Sequence, residues 1–235
     1  MALPKLNTPE YELELPSTGE KIKFRPFLVK EQKLLMMAQE SEDETQLSNT
    51  VATIINSCTN EKVNAEESPL FDIEYVFLQL RSKSVGETAD IKVTCPDDNK
   101  TQVDIKVKLD EVSVHMTDDH TNIIQITDNI KIIMKYPVLN DMVSSNKKTT
   151  EMENMFNILY KCIGEIHDED TIYNRIDMTE KDIDEFIDNL NTKQFETLMN
   201  FFKTMPKLRH PITFTNPKTK KKNELILEGL DSFLV

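Results

Sequence analysis

Glycine is scarce in this chain, and tryptophan is absent. Only 4 of the 235 residues are glycine. Phosphate-binding loops and dinucleotide fingerprints need several closely spaced glycines, because glycine lets the backbone approach a phosphate closely. The Gly-x-Ser-x-Gly turn that carries a nucleophilic serine is missing as well. Since no nucleophile–base set stands out, we expect no enzymatic activity and no cofactor.

Cysteine is also infrequent. Cys58, Cys95 and Cys162 are an odd number at wide spacings, which is typical of free thiols in a reducing compartment. Cys95 precedes a proline at a predicted hairpin tip, as in half of a zinc knuckle, but a closed zinc site needs four ligands and no second cysteine is near. We therefore expect Cys95 to be a core residue on the apolar face of its strand.

Histidines are few and scattered. None of the four has the i, i+4 pairing of a zinc-binding helix. The segment His167–Asp170 could attract a divalent cation, yet it lacks the glycine and the ligand spacing of a calcium loop. We expect it to be a solvated loop between a helix and a strand, and we expect no bound metal.

Positive charge is in the minority. The net charge of −13 argues against nucleic acid as a partner, because binding a phosphate backbone depends on positive charge. Residues 203–222 reverse this sign, with seven basic side chains and no acidic ones. A basic hairpin loop could dock on an acidic neighbour, keep sheet edges from pairing or, more weakly, contact nucleic acid. Its lysines are Lys218, Lys220, Lys221 and Lys222.

Long apolar runs are missing too. No run is long enough to cross a bilayer, and the N-terminus does not resemble a signal peptide. We expect a protein made and kept in a cytosol, with no membrane partner.

The richest apolar segment is predicted to be the central helix. Residues 70–80 carry apolar side chains in nearly every direction around a helix, which indicates burial on several sides, by this chain or by another. Ser68 followed by Pro69 is a start signal, with serine as the cap and proline at the first helical position. The helix exit, Arg81–Glu87, is polar.

The remaining pattern predicts an α+β fold, in which antiparallel hairpins pack with helices and a helix-rich second half ends in a small β-hairpin. Two domains are predicted, 1–143 and 151–235, joined by a linker at Ser144–Thr150; one continuous domain is the alternative. Hairpins are predicted within 11–24, 89–109, 123–136 and 212–227, and further helices within 28–39, 47–58, 152–166, 179–190 and 191–205.

Several segments resemble the baseplate hub subunits of T-even-type contractile-tailed bacteriophages, in the same order and over nearly the whole chain. The N-terminal part of this chain resembles the start of those hub subunits, in Leu13–Gly19 followed by Phe24–Glu31. The central signature of the family resembles Phe71–Tyr75 with Arg81–Glu87. Thr94-Cys95-Pro96 and Leu227–Leu230 also fit.

This resemblance implies a structural or assembly role in the tail baseplate hub, without enzymatic activity. The implied partners are other hub or tail proteins, with a homo-oligomer left open. The implied location is the virion tail baseplate, and the host cytoplasm during assembly. A transient hub-assembly chaperone, absent from the mature virion, is the alternative. Some relatives have a second cysteine after the Cys-Pro, whereas Asp97-Asp98-Asn99 stands here, which speaks against a metal knuckle.

Four segments are predicted to make contacts with partner proteins through complementary shape and charge. They are the corner Arg25-Pro26-Phe27, the helix exit with Arg81, Ser82, Lys83 and Ser84, the basic loop Lys218–Lys222, and the C-terminal Phe233-Leu234-Val235.

Overall fold

The computed structural model describes residues 7–41, 43–141 and 150–233. Within these ranges the chain forms six α-helices and eleven strands in small antiparallel sheets, which confirms the predicted α+β fold. The described residues divide into two compact units. The first takes the chain up to His115 and again from Lys207, and the second is Met116–Pro206.

The first unit holds three helices and seven strands. The strands are β1 (Tyr11–Glu14), β2 (Lys21–Phe24), β3 (Thr88–Thr94), β4 (Gln102–Lys108), β5 (Ser113–His115), β10 (Lys207–Thr215) and β11 (Lys222–Glu228). The helices are α1 (Val29–Glu40), α2 (Glu44–Cys58) and α3 (Leu70–Ser84).

Helix α3 is the centre of this unit. The all-round apolar pattern correctly predicted burial, and the residues that cover α3 belong to its own chain. The cap was misplaced by one residue: Pro69 is the N-cap and Ser68 lies outside the helix. The extended backbone that proline favours explains this start. The buried side chains of α3 are Phe71, Asp72, Ile73, Val76, Phe77, Leu78, Leu80 and Ser82.

The predicted hairpins of this unit are confirmed. Strands β1 and β2 pair alone, and so do β3 and β4, with Ile91 opposite Ile105. The C-terminal hairpin β10–β11 adds β5 as a third strand, in the order β11-β10-β5. Alternate residues of β3 are buried, as expected where a core covers one face of an antiparallel sheet.

The second unit packs three helices on a four-stranded sheet of order β6-β7-β8-β9. Its strands are β6 (Ile123–Gln125), β7 (Ile130–Met134), β8 (Ile163–Asp168) and β9 (Thr171–Asn174). Its helices are α4 (Glu151–Cys162), α5 (Glu180–Asp188) and α6 (Thr192–Thr204). Thr179 caps α5, because its hydroxyl accepts from the Asp182 N–H while the Asp182 carboxylate accepts from the Thr179 N–H.

The predicted helix over 152–166 is wrong beyond Cys162. Ile163 leaves the helix with extended backbone angles, and the chain continues as β8. A register shift between Ile133 and Met134 makes Ile163 pair with Met134 while Ile166 pairs with Ile132. This bulge buries two isoleucines three residues apart on one strand, so a strand imitates the spacing of a helix. The loop expected at His167–Asp170 between a helix and a strand is only partly found: His167 and Asp168 are paired residues of β8, and Glu169 and Asp170 form the turn of the β8–β9 hairpin.

The compact units differ from the domains predicted at 1–143 and 151–235, because β10 pairs with β5 and so groups the C-terminal hairpin with the first unit. The division into domains at 1–143 and 151–235, with one continuous domain as the alternative, stays a prediction. Of the proposed linker, only Thr150, which caps α4, lies within the described residues.

All three cysteines are free and buried, as the core interpretation of Cys95 predicts. Burial raises the pKa of the Cys58 thiol to about 11 and that of Cys162 to about 12, and it raises the pKa of Cys95 with help from Asp98. Since the thiolate is the reactive form, we expect a disulfide reagent to modify none of the three thiols in the native protein and all of them in urea. Rapid native labelling of any one would contradict this burial.

Candidate interaction surfaces

The corner Arg25-Pro26-Phe27 is built into the first unit by a network of hydrogen bonds. The Arg25 N–H donates to the Cys58 carbonyl at 2.9 Å. Its guanidinium donates to Glu31 Oε1 at 2.9 Å and to Ser57 Oγ at 3.0 Å. Pro26 and Phe27 are buried and Arg25 is half-buried. The corner therefore presents little surface, and only Arg25 is partly open to a partner.

Glu31 is a buried carboxylate at the start of α1, with 3% of its surface exposed. Burial raises its pKa, but hydrogen bonds from Arg25 and from the Leu28 N–H at 2.8 Å outweigh this effect, and the pKa is lowered overall. Glu31 is thus ionised in the folded protein. The Arg25–Glu31 pair holds the chain where it leaves β2 and enters α1.

The helix exit lies beside this corner. The Phe27 N–H donates to Ser84 Oγ at 2.9 Å, and Ser84 Oγ donates to the Leu80 carbonyl at 2.5 Å. Two segments that the sequence proposed as separate contacts are therefore joined. Lys83 forms an ion pair with Glu87 at 2.6 Å, four residues on.

The segments that carry the family resemblance meet along α3. The Ser17 N–H in the β1–β2 turn donates to Asp72 Oδ1 at 3.0 Å. Near the other end of the chain, the Leu230 N–H donates to Glu74 Oε1 at 3.1 Å. Gly229 before it has a φ of 74°, which glycine adopts without strain. The first, central and last of these motifs are thus parts of one structure.

Arg81 and Ser82 stand out in the last turn of α3. Arg81 Nη1 and Ser82 Oγ are buried and have no hydrogen-bond partner within the described ranges. Burial lowers the pKa of the Arg81 guanidinium. An unsatisfied buried polar group costs about 1–3 kcal/mol, so these two atoms are an exception in an otherwise well-paired unit.

The basic loop between β10 and β11 rests on the turn between β3 and β4. Asn216, which is fully buried, donates from Nδ2 to Asp97 Oδ1 at 2.8 Å and to Asp98 Oδ2 at 3.1 Å. Asn216 Oδ1 accepts from the Lys218 N–H at 2.8 Å. On the other side of the loop, Asn223 Oδ1 accepts from the Asp97 N–H at 3.2 Å. The two hairpin ends therefore form one rigid assembly.

Both aspartates of this turn have a pKa below the ordinary value, so both carboxylates are ionised near neutral pH. Hydrogen bonds from Asn216 and from Thr219 lower the pKa of Asp97. Hydrogen bonds from the side chain and the backbone of Thr101 lower that of Asp98. The Asp97-Asp98 pair thus anchors the basic loop.

The lysines of this loop point into solvent. Lys218, Lys220, Lys221 and Lys222 are all exposed. The ion pair seen here joins Lys222 to Glu224 at 3.8 Å, between two side chains that are at least 70% exposed. Such a pair contributes little to stability. The loop therefore carries concentrated positive charge, and the β3–β4 turn holds it in place.

Phe233 is fully buried in the core of the first unit, together with Leu78 and Leu208. It is a packing residue in this structure rather than an exposed contact. Leu234 and Val235 lie outside the described residues.

Two exposed apolar surfaces were missed by sequence reasoning. Helix α1 buries Glu31 and Ala38 and leaves Met36 and Met37 more than half exposed. The segment from β9 onward exposes Ile172, Tyr173 and Ile176. A test of helical periodicity on α1 would have found the first surface, whereas the second lies outside every helix and hairpin that the sequence predicted.

We expect Asn216→Ala to free the basic loop from its support. The change removes two donated bonds and the acceptor for the Lys218 N–H, and the cost should be about 2 kcal/mol in the free energy of unfolding. Urea unfolding measures the loss, and hydrogen exchange should show the Lys218 and Thr219 amides opening. Asn189→Ala, at an exposed helix end, is the control and should stay within about 0.5 kcal/mol. Equal effects of the two changes would contradict the anchoring role.

The structure shows no helix, within the ranges it describes, that is long and apolar enough to cross a membrane. In the same ranges, no group of three or more potential ligand side chains could hold a metal ion.

Comparison with known proteins gives a family. A family model described as T4 bacteriophage base plate protein matches residues 8–235. This chain therefore belongs to that family of phage baseplate proteins. Its role is structural or in assembly of the baseplate, and its place is the tail of the virion, with other tail proteins as contacts. No curated protein and no solved structure matches it.

Proposed function

We propose that this chain is a component of the baseplate hub and is held there by protein–protein contacts. The family match over residues 8–235 supports a baseplate role. The order of the hub-like motifs, three of which are joined along α3 by Ser17, Phe27 and Leu230, supports the hub in particular. No nucleophile–base set stands out among its motifs, which fits a structural role.

The basic loop is the contact that we propose first. Its lysines are exposed on a chain of net charge −13, and Asn216 and Asp97 fix the loop before any partner arrives. A preorganised loop loses little conformational freedom on binding. Complementary charge also steers association and fixes register. The matching surface on the hub partner is therefore acidic.

Charge reversal tests this contact in infected cells that lack the native gene. The variant Lys218→Glu, Lys220→Glu, Lys221→Glu, Lys222→Glu should enter baseplates at least about tenfold less than the wild type, because like charges repel across the interface. The matched control reverses four exposed lysines elsewhere: Lys23, Lys33, Lys92 and Lys193.

The control has the same net charge as the loop variant, so a general charge effect would lower both equally. Normal incorporation of the loop variant would reject the loop as a docking surface. If instead the purified wild type bound duplex DNA with a steep salt dependence that the loop variant lost, the loop would be a nucleic-acid contact.

A further inference from the structure

Arg81 is a half-buried cation that forms no ion pair with any residue in the part of the chain that the structure describes. Its Nη1 atom is buried without a partner, and so is the neighbouring Ser82 Oγ. Native proteins pair the large majority of their buried polar atoms, so each exception needs an explanation. Burial lowers the pKa of the Arg81 guanidinium.

Four carboxylates on α3 or on the segments bonded to it are engaged by other donors. Each one accepts a hydrogen bond from a group other than Arg81, and none of them forms an ion pair with Arg81 within the described ranges. The pairs are Glu31 with Arg25, Asp72 with Ser17, Glu74 with the Leu230 N–H, and Glu87 with Lys83.

The position of Arg81 makes it reachable from outside. Leu78, Arg81 and Val85 lie on one stripe of the helix, at spacings of three and four. Leu78 is fully buried, Arg81 is half-buried and Val85 is 63% exposed. The stripe therefore runs from the core to the surface. A group that packs on Val85 can approach the exposed part of the Arg81 side chain.

We propose that Arg81 receives a carboxylate side chain of a neighbouring baseplate protein. This inference rests on the proposed baseplate role and names one contact within it. The planar guanidinium matches a carboxylate with two parallel hydrogen bonds. A different protein is favoured over a second copy, because two chains of charge −13 repel each other.

Substitutions of Arg81 test the proposal, because they should affect the stability of the isolated protein and its incorporation into baseplates differently. Arg81→Met keeps the length of the side chain and removes the unpaired cation. The isolated variant should unfold at a temperature no lower than the wild type, whereas its incorporation into baseplates should fall at least about tenfold, because the partner carboxylate then loses its cation. Arg81→Lys keeps the charge without the two-pronged geometry and should give an intermediate loss.

Lys92→Met is the matched control, since it removes one exposed lysine from β3, and it should change neither measurement. Arg81→Met with normal incorporation would overturn the proposal. So would a marked fall in its unfolding temperature, because Arg81 would then be satisfied inside the isolated chain.

The partner is identified with a photo-crosslinking residue in place of Val85. A crosslink beside an aspartate or glutamate of another baseplate protein is expected, and a crosslink to a second copy would overturn the choice of partner. Failure of the wild type itself to enter baseplates would reject the proposed function, whereas equal incorporation of wild type and Arg81→Met rejects this inference alone.

Discussion

Replacing Phe77 by alanine is expected to lower the free energy of unfolding by about 3–5 kcal/mol. Phe77 lies in the middle of α3 and is 1% exposed. Removing its ring forfeits the burial of a large apolar side chain and leaves a cavity that the packed neighbours can only partly fill. Since domains are stable by only about 5–15 kcal/mol, this single change should bring the protein close to unfolding.

Urea unfolding followed by circular dichroism measures this loss. Val85→Ala is the control on the same helix, because Val85 is 63% exposed and should cost less than about 0.5 kcal/mol. A small effect at Phe77 would mean that another protein, rather than this chain, supplies the cover of α3. That result would contradict the central position of this helix.

The Arg25–Glu31 pair gives the second large effect. Glu31→Ala removes the acceptor for both Arg25 and the Leu28 N–H, and it leaves a half-buried guanidinium with weaker partners. We expect a loss of about 2–3 kcal/mol, below the range for a fully buried pair because part of the Arg25 side chain meets solvent. Glu40→Ala, an exposed glutamate at the end of the same helix, is the control.

The same pair makes a prediction about pH. The pKa of Glu31 is lowered by folding, so the unfolded chain takes up its proton first as the pH falls. The stabilisation by Glu31 is therefore present above the ordinary pKa of 4.5 and is lost as the pH falls through the lower, folded pKa.

Glu31→Gln keeps an oxygen for the Leu28 N–H but cannot ionise. The free energy of unfolding of this variant should be much lower than that of the wild type near neutral pH, and the difference should shrink towards about pH 3. A deficit that stays constant over this range would show that the charge of Glu31 does not contribute.

Much of the fold could be predicted from local sequence patterns. Helix α3 was predicted because apolar side chains surround it, and the β3–β4 hairpin because its residues alternate. Strand β8 was missed because the bulge at Ile133 and Met134 sets two buried isoleucines three residues apart. The extra residue of this bulge is Gly164, which lies in β8 itself opposite Ile133 and Met134, and the alternating pattern of a regular strand does not allow for it.

The candidate surfaces were predictable only in part. The basic loop is exposed, as its charge indicated, but its support at Asp97 comes from a residue 119 positions away from Asn216. Phe233 is apolar and close to the C-terminus, and nothing local shows that it packs against Leu78. The missing partner of Arg81 is likewise a property of the folded surroundings and not of the helix sequence.

Quantitative mass spectrometry of purified phage particles, beside the infected-cell lysate, tests the baseplate hub role most directly. A hub component should be present at a fixed copy number per particle, in constant ratio to other baseplate proteins. A chain that occurs in the lysate and not in finished particles would contradict the hub component and would instead indicate an assembly chaperone. Its absence from the particles and from every baseplate assembly intermediate would contradict the hub role altogether.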